Sequence, residues 1–380
     1  MRILVCAQEF KGSLTAMQAT RAIATGLHRA SPDAEVIEQP MADGGPGLVA
    51  IVCATVGAPT IERSATGPLG APMDARFGLV DRVGSTPLAV IEAAATVGLT
   101  LVPVGARDPA NATSTGVGEQ LRQALLAGAR EIIVGVGGTA TNDGGAGLAQ
   151  ALGCVLLDDH GTPLPPGPRH LDRLDRIDAA GVETMLRGVR LRIAVDVTNR
   201  LLGAEGATAV YGPQKGVTPE TAPMLERALK QWARVVARDL GVPIAELDGG
   251  GAGGGIAAGL VAIGRAAGAD VTIESGAALV AEAVHLAEAI AQADLVVTGE
   301  GRLDTQTAFG KTVAHIAALA AAAGRPCIVV AGSIEAVPAT VADAEASSPP
   351  GMPTEQAMRA GEELVSAAAA RLMTRWLREH

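Results

Sequence analysis

MRILVCAQEFKGSLTAMQATRAIATGLHRASPDAEVIEQPMADGG, residues 1–45, reads as strand, loop, helix and strand. Arg2–Ala7 is a short apolar β-like run, and Gln8–Leu14 is a loop. The helix expected from about Thr15 to Arg29 opens on a capping box, Thr15 with Gln18 three residues on. A second strand follows at Glu35–Gln39 and ends in Met41-Ala42-Asp43-Gly44-Gly45. The same pattern returns late in the chain. Asp294–Thr298 is a strand, Gly299–Gly310 a loop and Lys311–Ala323 a helix closed by Gly324, with the next strand at Cys327–Ala331. Apolar runs of this kind suit a buried parallel sheet, so the fold class is α/β.

Working inward, Thr115 caps a helix expected to run to Ala127, and Gly128 ends it. Glu131–Val136 is a strand, Gly137–Gly145 a loop and the following segment a helix to Leu152. Arg192–Val195 is a further strand, ending at Asp196. Residues 338–355, rich in Pro, Ala and Ser, read as a surface loop before a last amphipathic helix. A chain of 380 residues suggests two domains, on a prior of about 100–200 residues each.

Composition excludes several classes. At 48% hydrophobic and 18% charged the chain can bury a large core. A net charge of −10 argues against a nucleic-acid partner, and an anionic substrate must then be held by local basic groups. Cys6, Cys53, Cys154 and Cys327 show no C-x-x-C spacing and read as reduced thiols of a cytoplasmic protein. The histidines show no zinc spacing. The first residues lack a signal-peptide run, and the Ala-rich stretch after Lys311 is too short to span a membrane, so no membrane partner is expected.

Every loop of interest follows a strand, where ligands bind in open α/β sheets. Gln8–Ser13 carries Lys11, Gly12 and Ser13 into a helix N-terminus, either an anion site or a capped helix with a solvated lysine. Gly137-Gly138-Thr139-Ala140-Thr141-Asn142-Asp143-Gly144-Gly145 is either a nest for phosphate or carboxylate or a tight strand–helix turn. It is not G-x-G-x-x-G, and no other loop supplies a nicotinamide fingerprint. Gly310-Lys311-Thr312 resembles the end of a P-loop, but Thr305 stands where its first glycine belongs. What remains is a mixed-charge set, Glu300, Arg302, Asp304 and Lys311 beside Gly299 and Gly301, suited to a metal-bound nucleotide or to surface ion pairing. Only four lysines stand among 26 arginines, and Lys11, Lys215 and Lys311 each adjoin a glycine in these loops. Lysine is a compact point charge for phosphate, so this bias supports an anion role. Asp43 and Asp196 each place an acid at a strand end, as a metal ligand, a proton acceptor or a turn former. The run Gly249–Gly255 approaches either a ligand or a packed helix.

Taken in order, EFKGSLTAMQA, MADGGPG, GVGGTATNDGGAGLAQALG, DVTNRLLGAEGATAVYGPQKG, AGGGIAAGL, GEGRLDTQTAFGK and TEQAMRAGEEL resemble the type-1 glycerate kinase family over nearly the whole chain. The resemblance implies transfer of the γ-phosphoryl of ATP to D-glycerate with Mg2+, giving 2-phosphoglycerate rather than 3-phosphoglycerate. It implies two α/β domains around a cleft: residues 1–65 with 285–380 as a Rossmann-like parallel sheet, and 66–284 inserted. Within that scheme Asp196 is the general base, and Asp43 or Asp304 holds magnesium. Lys11, Arg302 and Lys311 neutralise anionic groups. Gly12, Ser13, Gly137, Gly138, Thr139, Asn142, Asp143, Gly299, Glu300 and Gly301 contact the nucleotide. Two motifs depart from the family's pattern. PDSFKGS reads Ala7-Gln8-Glu9-Phe10-Lys11-Gly12-Ser13, and ADGGEGT reads Asp43-Gly44-Gly45-Pro46-Gly47-Leu48. The alternatives are a non-catalytic hydroxy-acid sensor and a kinase of a related hydroxy acid; monomer and homodimer are both compatible.

Overall fold

A computed structural model describes residues 1–303 and 312–380. Its strands in chain order are β1 (Arg2–Val5), β2 (Glu35–Glu38), β3 (Thr60–Thr66), β4 (Pro72–Val80), β5 (Leu88–Glu92), β6 (Glu131–Gly135) and β7 (Val155–Leu157). There follow β8 (Arg176–Asp178), β9 (Arg190–Ala194), β10 (Asp270–Glu274), β11 (Leu295–Leu303), β12 (Cys327–Ile334) and β13 (Asp343–Ala346). Contacts divide the chain into two units, Met1–Asp43 with Ala277–His380, and Gly44–Gly276. Residues 44–65, grouped with the outer segments in the sequence reading, belong by contact to the second unit, because the helix Leu48–Val56 packs on β4 and β5. Residues 277–284 belong to the first, where Gln39 Nε2 donates to Val284 O (2.8 Å).

The first unit is a five-stranded sheet in the order β13-β12-β11-β1-β2, with every pairing parallel. The helix Ala16–Ala30 begins at the expected capping box and buries Ala19, Ala22, Ile23 and Leu27, the i, i+3, i+4 pattern of an amphipathic helix. It packs on the last helix, Gly361–Glu379, so closely that a Cβ on Gly26 would stand 2.1 Å from Ser366 O. β13 lies inside the segment read from sequence as a surface loop. Its four residues, Asp-Ala-Glu-Ala, offer only alanines as apolar side chains and are all half-buried; pairing with β12 and ion pairs from Arg371 and Arg375 to Asp343 and Glu345 hold it in place.

The second unit is a six-stranded sheet in the order β10-β9-β6-β5-β4-β3. β10, β9, β6 and β5 run parallel, and β4 and β3 add as antiparallel strands. One core joins Ile132, Val134, Leu191 and Ile193 of this sheet to helices Thr115–Leu126, Ala222–Leu240 and Ile256–Ala266. Trp232 is fully buried there and donates through Nε1 to Gly144 O (2.9 Å). The glycine run is packing, backbone on backbone. Cβ atoms on Gly253, Gly254 and Gly255 would meet Val136 O, Thr141 O and Gly144 Cα at 2.9, 1.9 and 2.5 Å. No helix among the described residues is long and apolar enough to cross a membrane.

Candidate active site

In the first unit the chain runs from β1 outward to β2 on one side, and from β11 through β12 to β13 on the other. The β1/β11 seam is therefore the topological switch point, where an open α/β sheet leaves a crevice at its carboxyl ends. Two of the sequence-selected loops meet there. Gln8 N donates to Gly299 O (2.9 Å), and a Cβ on Gly301 would stand 3.4 Å from Lys11 N. The loop after β1 is a tight one: Phe10 N donates to Leu14 O and Leu14 N to Phe10 O, with Gly12 in the left-handed region (φ 76°). Ser13 Oγ is taken up by Met358 O (2.8 Å), which ties the loop to the C-terminal segment.

This geometry exposes Lys11 and Gly12 and buries Glu300. Arg302, also exposed, pairs with Glu335. Burial pushes the Glu9 carboxyl up, the neighbouring Asp43 charge pushes it further, and Lys11 pulls it back. Glu9 and Asp43 thus form a carboxylate pair beside a lysine, at the ends of β1 and β2. Asp304 and Lys311 lie outside the described residues.

The second unit sets its own row of groups at the carboxyl ends of β5, β6, β9 and β10. Glu92 ends β5, and its Oε2 accepts from Gly47 N (2.9 Å), the left-handed residue that opens helix Leu48–Val56. The Gly44–Gly45 backbone lies across the end of β6. A Cβ on Gly135 would stand 2.3 Å from Gly44 O, and one on Gly137 3.0 Å from Gly45 Cα. Pro46 sits against Gly138, its Cγ 3.0 Å from where a Cβ there would lie. Asp196 follows β9; its Oδ1 accepts from Ser275 Oγ (2.9 Å) and Gly276 N (3.0 Å) beyond β10.

Within Gly137–Gly145 the structure separates residues that the sequence groups together. Gly138 is exposed and Gly137 partly so, while Thr139, Asn142 and Asp143 are buried. Asp143 accepts from Ser114 N and Ser114 Oγ (both 2.8 Å), Gly145 N (3.1 Å) and Gly147 N (3.2 Å). Burial pushes its pKa up and these donors pull it back. Its carboxylate thus anchors the first turn of helix Ala146–Ala151. Asn142 Nδ2 donates to Thr208 Oγ1 (3.0 Å).

Two polar side chains of this region were not placed among the site residues from sequence. Glu92 gave no signal, since alanines follow it. Lys215 gave one, its place beside a glycine. It is buried, and its Nζ donates to Thr141 O (2.6 Å) and toward Thr139 Oγ1 (3.4 Å).

Comparison with known proteins decides what these strand-end loops belong to. The profile of the glycerate kinase family matches residues 3–377. The chain belongs to the glycerate kinase family. It is 42% identical to "Glycerate kinase" of Halalkalibacterium halodurans over 97% of this chain and 96% of that one. It is also 42% identical to "Glycerate 2-kinase" of Escherichia coli (strain K12), over 88% and 86%. A crystal structure from Salmonella typhimurium LT2, assigned as glycerate kinase 2, superposes with a TM-score of 0.85 at 38% identity, covering 100% of this chain and 99% of that one. The mixed α/β architecture with parallel sheets is that of the family, and the chain is a kinase. Its two departures from the family's motifs have places in the fold. Gln8 is buried at the β1/β11 seam, and Pro46 packs on the glycine loop after β6.

Proposed function

We propose that the chain transfers the γ-phosphoryl group of ATP to D-glycerate, giving 2-phosphoglycerate and ADP. The observation that carries the reading is positional: in each unit the glycine-rich and charged loops stand at the carboxyl ends of parallel strands, where this architecture binds ligands. The name of the Escherichia coli relative supports the 2-position.

In the proposed reaction the glycerate 2-hydroxyl oxygen attacks the γ-phosphorus. The new O–P bond forms as the bond to the β–γ bridging oxygen breaks, and ADP departs. Asp196 takes the hydroxyl proton; Ser275 Oγ and Gly276 N orient its carboxylate by holding Oδ1. Lys11 and Arg302 neutralise phosphate or carboxylate charge, and Lys311 adds to them. Backbone N–H groups of Gly137 and Gly138, on the exposed part of their loop, supply further donors, Gly137 N giving up its long bond to Gly44 O (3.5 Å). Phosphoryl transfer needs positioning and charge neutralisation of this kind more than covalent chemistry.

The donor chemistry fits magnesium. Mg2+ takes one or two carboxylates together with substrate phosphates, and Asp43 lies close enough to Glu9 to raise its pKa. Asp43 would hold the ion, with Asp304 as the other candidate. Bound there, magnesium would supply charge neutralisation to the nucleotide phosphates.

A coupled ADP-release assay with Mg-ATP, run with and without D-glycerate, tests the reading. Glycerate-dependent release is expected. Glycerate binding without turnover would replace the kinase with a sensor. Phosphorus NMR of the product decides the position, and a 3-phosphoglycerate signal would overturn the 2-position.

A further inference from the structure

We infer that Lys215 is a positioning residue of the reaction, fixing the glycine loop after β6 from beneath through Thr141 and lending that loop positive charge. The inference rests on the reading that Gly137 and Gly138 hold an anionic group of a substrate.

Lys215 lies on the short turn Pro213–Lys215 and is only 3% exposed. A buried ammonium is costly unless hydrogen-bonded, so its partners show where it is used. They are Thr141 O and Thr139 Oγ1, both in the loop that carries Gly137 and Gly138 to the surface. The room it occupies is left by a glycine. A Cβ on Gly254 would stand 2.8 Å from Nζ and 1.9 Å from Thr141 O. Three segments therefore meet at this one amine: the β6 loop, the Pro213–Lys215 turn and the glycine run before helix Ile256–Ala266.

Two charged groups face this junction among the described residues. Asp143 attracts the ammonium from the loop's own far end. Arg107 donates to Gln214 O (2.7 Å) on the turn that carries Lys215. Thr139, Thr141 and Gly254 bring no charge. Burial outweighs the Asp143 attraction and pulls the lysine pKa down to about 7. The charge on this amine therefore changes close to neutrality, while its remaining N–H groups still reach both threonines above that pH.

Lys215→Met keeps the side-chain length and removes both donors and charge. The experiment measures kcat and KM for D-glycerate and for Mg-ATP, their pH profiles, thermal unfolding, and amide hydrogen exchange over residues 137–145. In the variant kcat/KM should fall by about 10-fold or more, within the roughly 10²-fold that a misplacement of about 1 Å can cause. The fall should appear in one substrate's parameters more than in the other's. The wild-type profile should lose activity as pH rises through about 7, and the variant should lack that limb. Exchange of the 137–145 amides should quicken. Wild-type kinetics in a folded variant would overturn the inference; so would a uniform loss of active molecules with unchanged KM values and an unchanged pH profile. If wild-type protein shows no glycerate-dependent turnover, the reaction itself is wrong. Hydrogen exchange then still decides whether Lys215 fixes the loop, and unchanged exchange would refute that as well.

Discussion

Lys11 and Asp196 carry charges at exposed strand ends, one in each unit, and neither supports a core. Lys11→Ala removes an exposed cation that packs into no core and only offsets the raised pKa of half-buried Glu9, so melting should barely change. If Lys11 neutralises an anion, the loss at the transition state is on the order of 2–4 kcal/mol, by analogy with removal of one oxyanion donor. Steady-state kinetics beside a melting curve would check this, and an unchanged kcat/KM would remove the anion role. Asp196→Asn makes a narrower test. An amide oxygen can still accept from Ser275 Oγ and Gly276 N, so the local fold should persist. What is lost is proton acceptance, and turnover should fall roughly 10²-fold, the lower end for a general base. Nucleotide affinity, measured by titration calorimetry, should barely move. Near-normal kcat would show that Asp196 is a turn former.

Glycines place the elements around the β6 loop, and two of them separate conformation from contact. Gly254 has φ 72° and no room for a Cβ. Gly128, after the helix Thr115–Leu126, has φ 94° with nothing within 4 Å of a Cβ. Ala at Gly128 should cost only the left-handed penalty, about 1–2 kcal/mol. Ala at Gly254 adds a clash with Thr141 O and should exceed it, in the range above about 4 kcal/mol that marks a broken packing contact. Urea midpoints of the two variants give the comparison; equal midpoints would mean that the junction yields easily. Element by element, the sequence was legible where apolar runs and caps coincide. β1, its capped helix and β2 are of that kind, while β6 and the helix after it are marked by an apolar run and the glycines between them. The β3–β4 pair was not legible, because TIERSAT keeps most of its side chains in solvent and so lacks a buried stripe. β13 stayed hidden because Asp-Ala-Glu-Ala, half-buried throughout, offers no large apolar side chain. Within the candidate site, residue type marks a loop but not which of its residues reach the surface. Asn142 and Asp143 look like ligand groups in a string of letters. Only their burial shows them working inward, on Thr208 and on Ser114.

For the molecule as a whole the cysteines make a simple probe. Cys6, Cys53, Cys154 and Cys327 are all buried and unpaired. Burial pushes every one of these thiols up, Cys154 and Cys327 to about 12. The thiolate is the reactive form, so native protein should resist an aromatic disulfide reagent at neutral pH. Unfolding in urea should release all four thiols. Fast labelling of even one thiol without denaturant would contradict the packing around it.

β1 pairs with β2 on one edge and with β11 on the other, Val5 opposite both Glu38 and Val297. During synthesis this means that β1, which leaves the ribosome before the whole second unit, is among the last strands to be enclosed. Until Leu295–Leu303 has emerged, one edge of an apolar strand stays open, and a two-stranded ribbon is marginal in water. The second unit has no such wait, since its last strand is complete at Glu274. The nascent chain thus carries an unfinished, adhesive N-terminal edge through most of its translation, and its hazard of misassembly lies in that interval rather than in the finished protein.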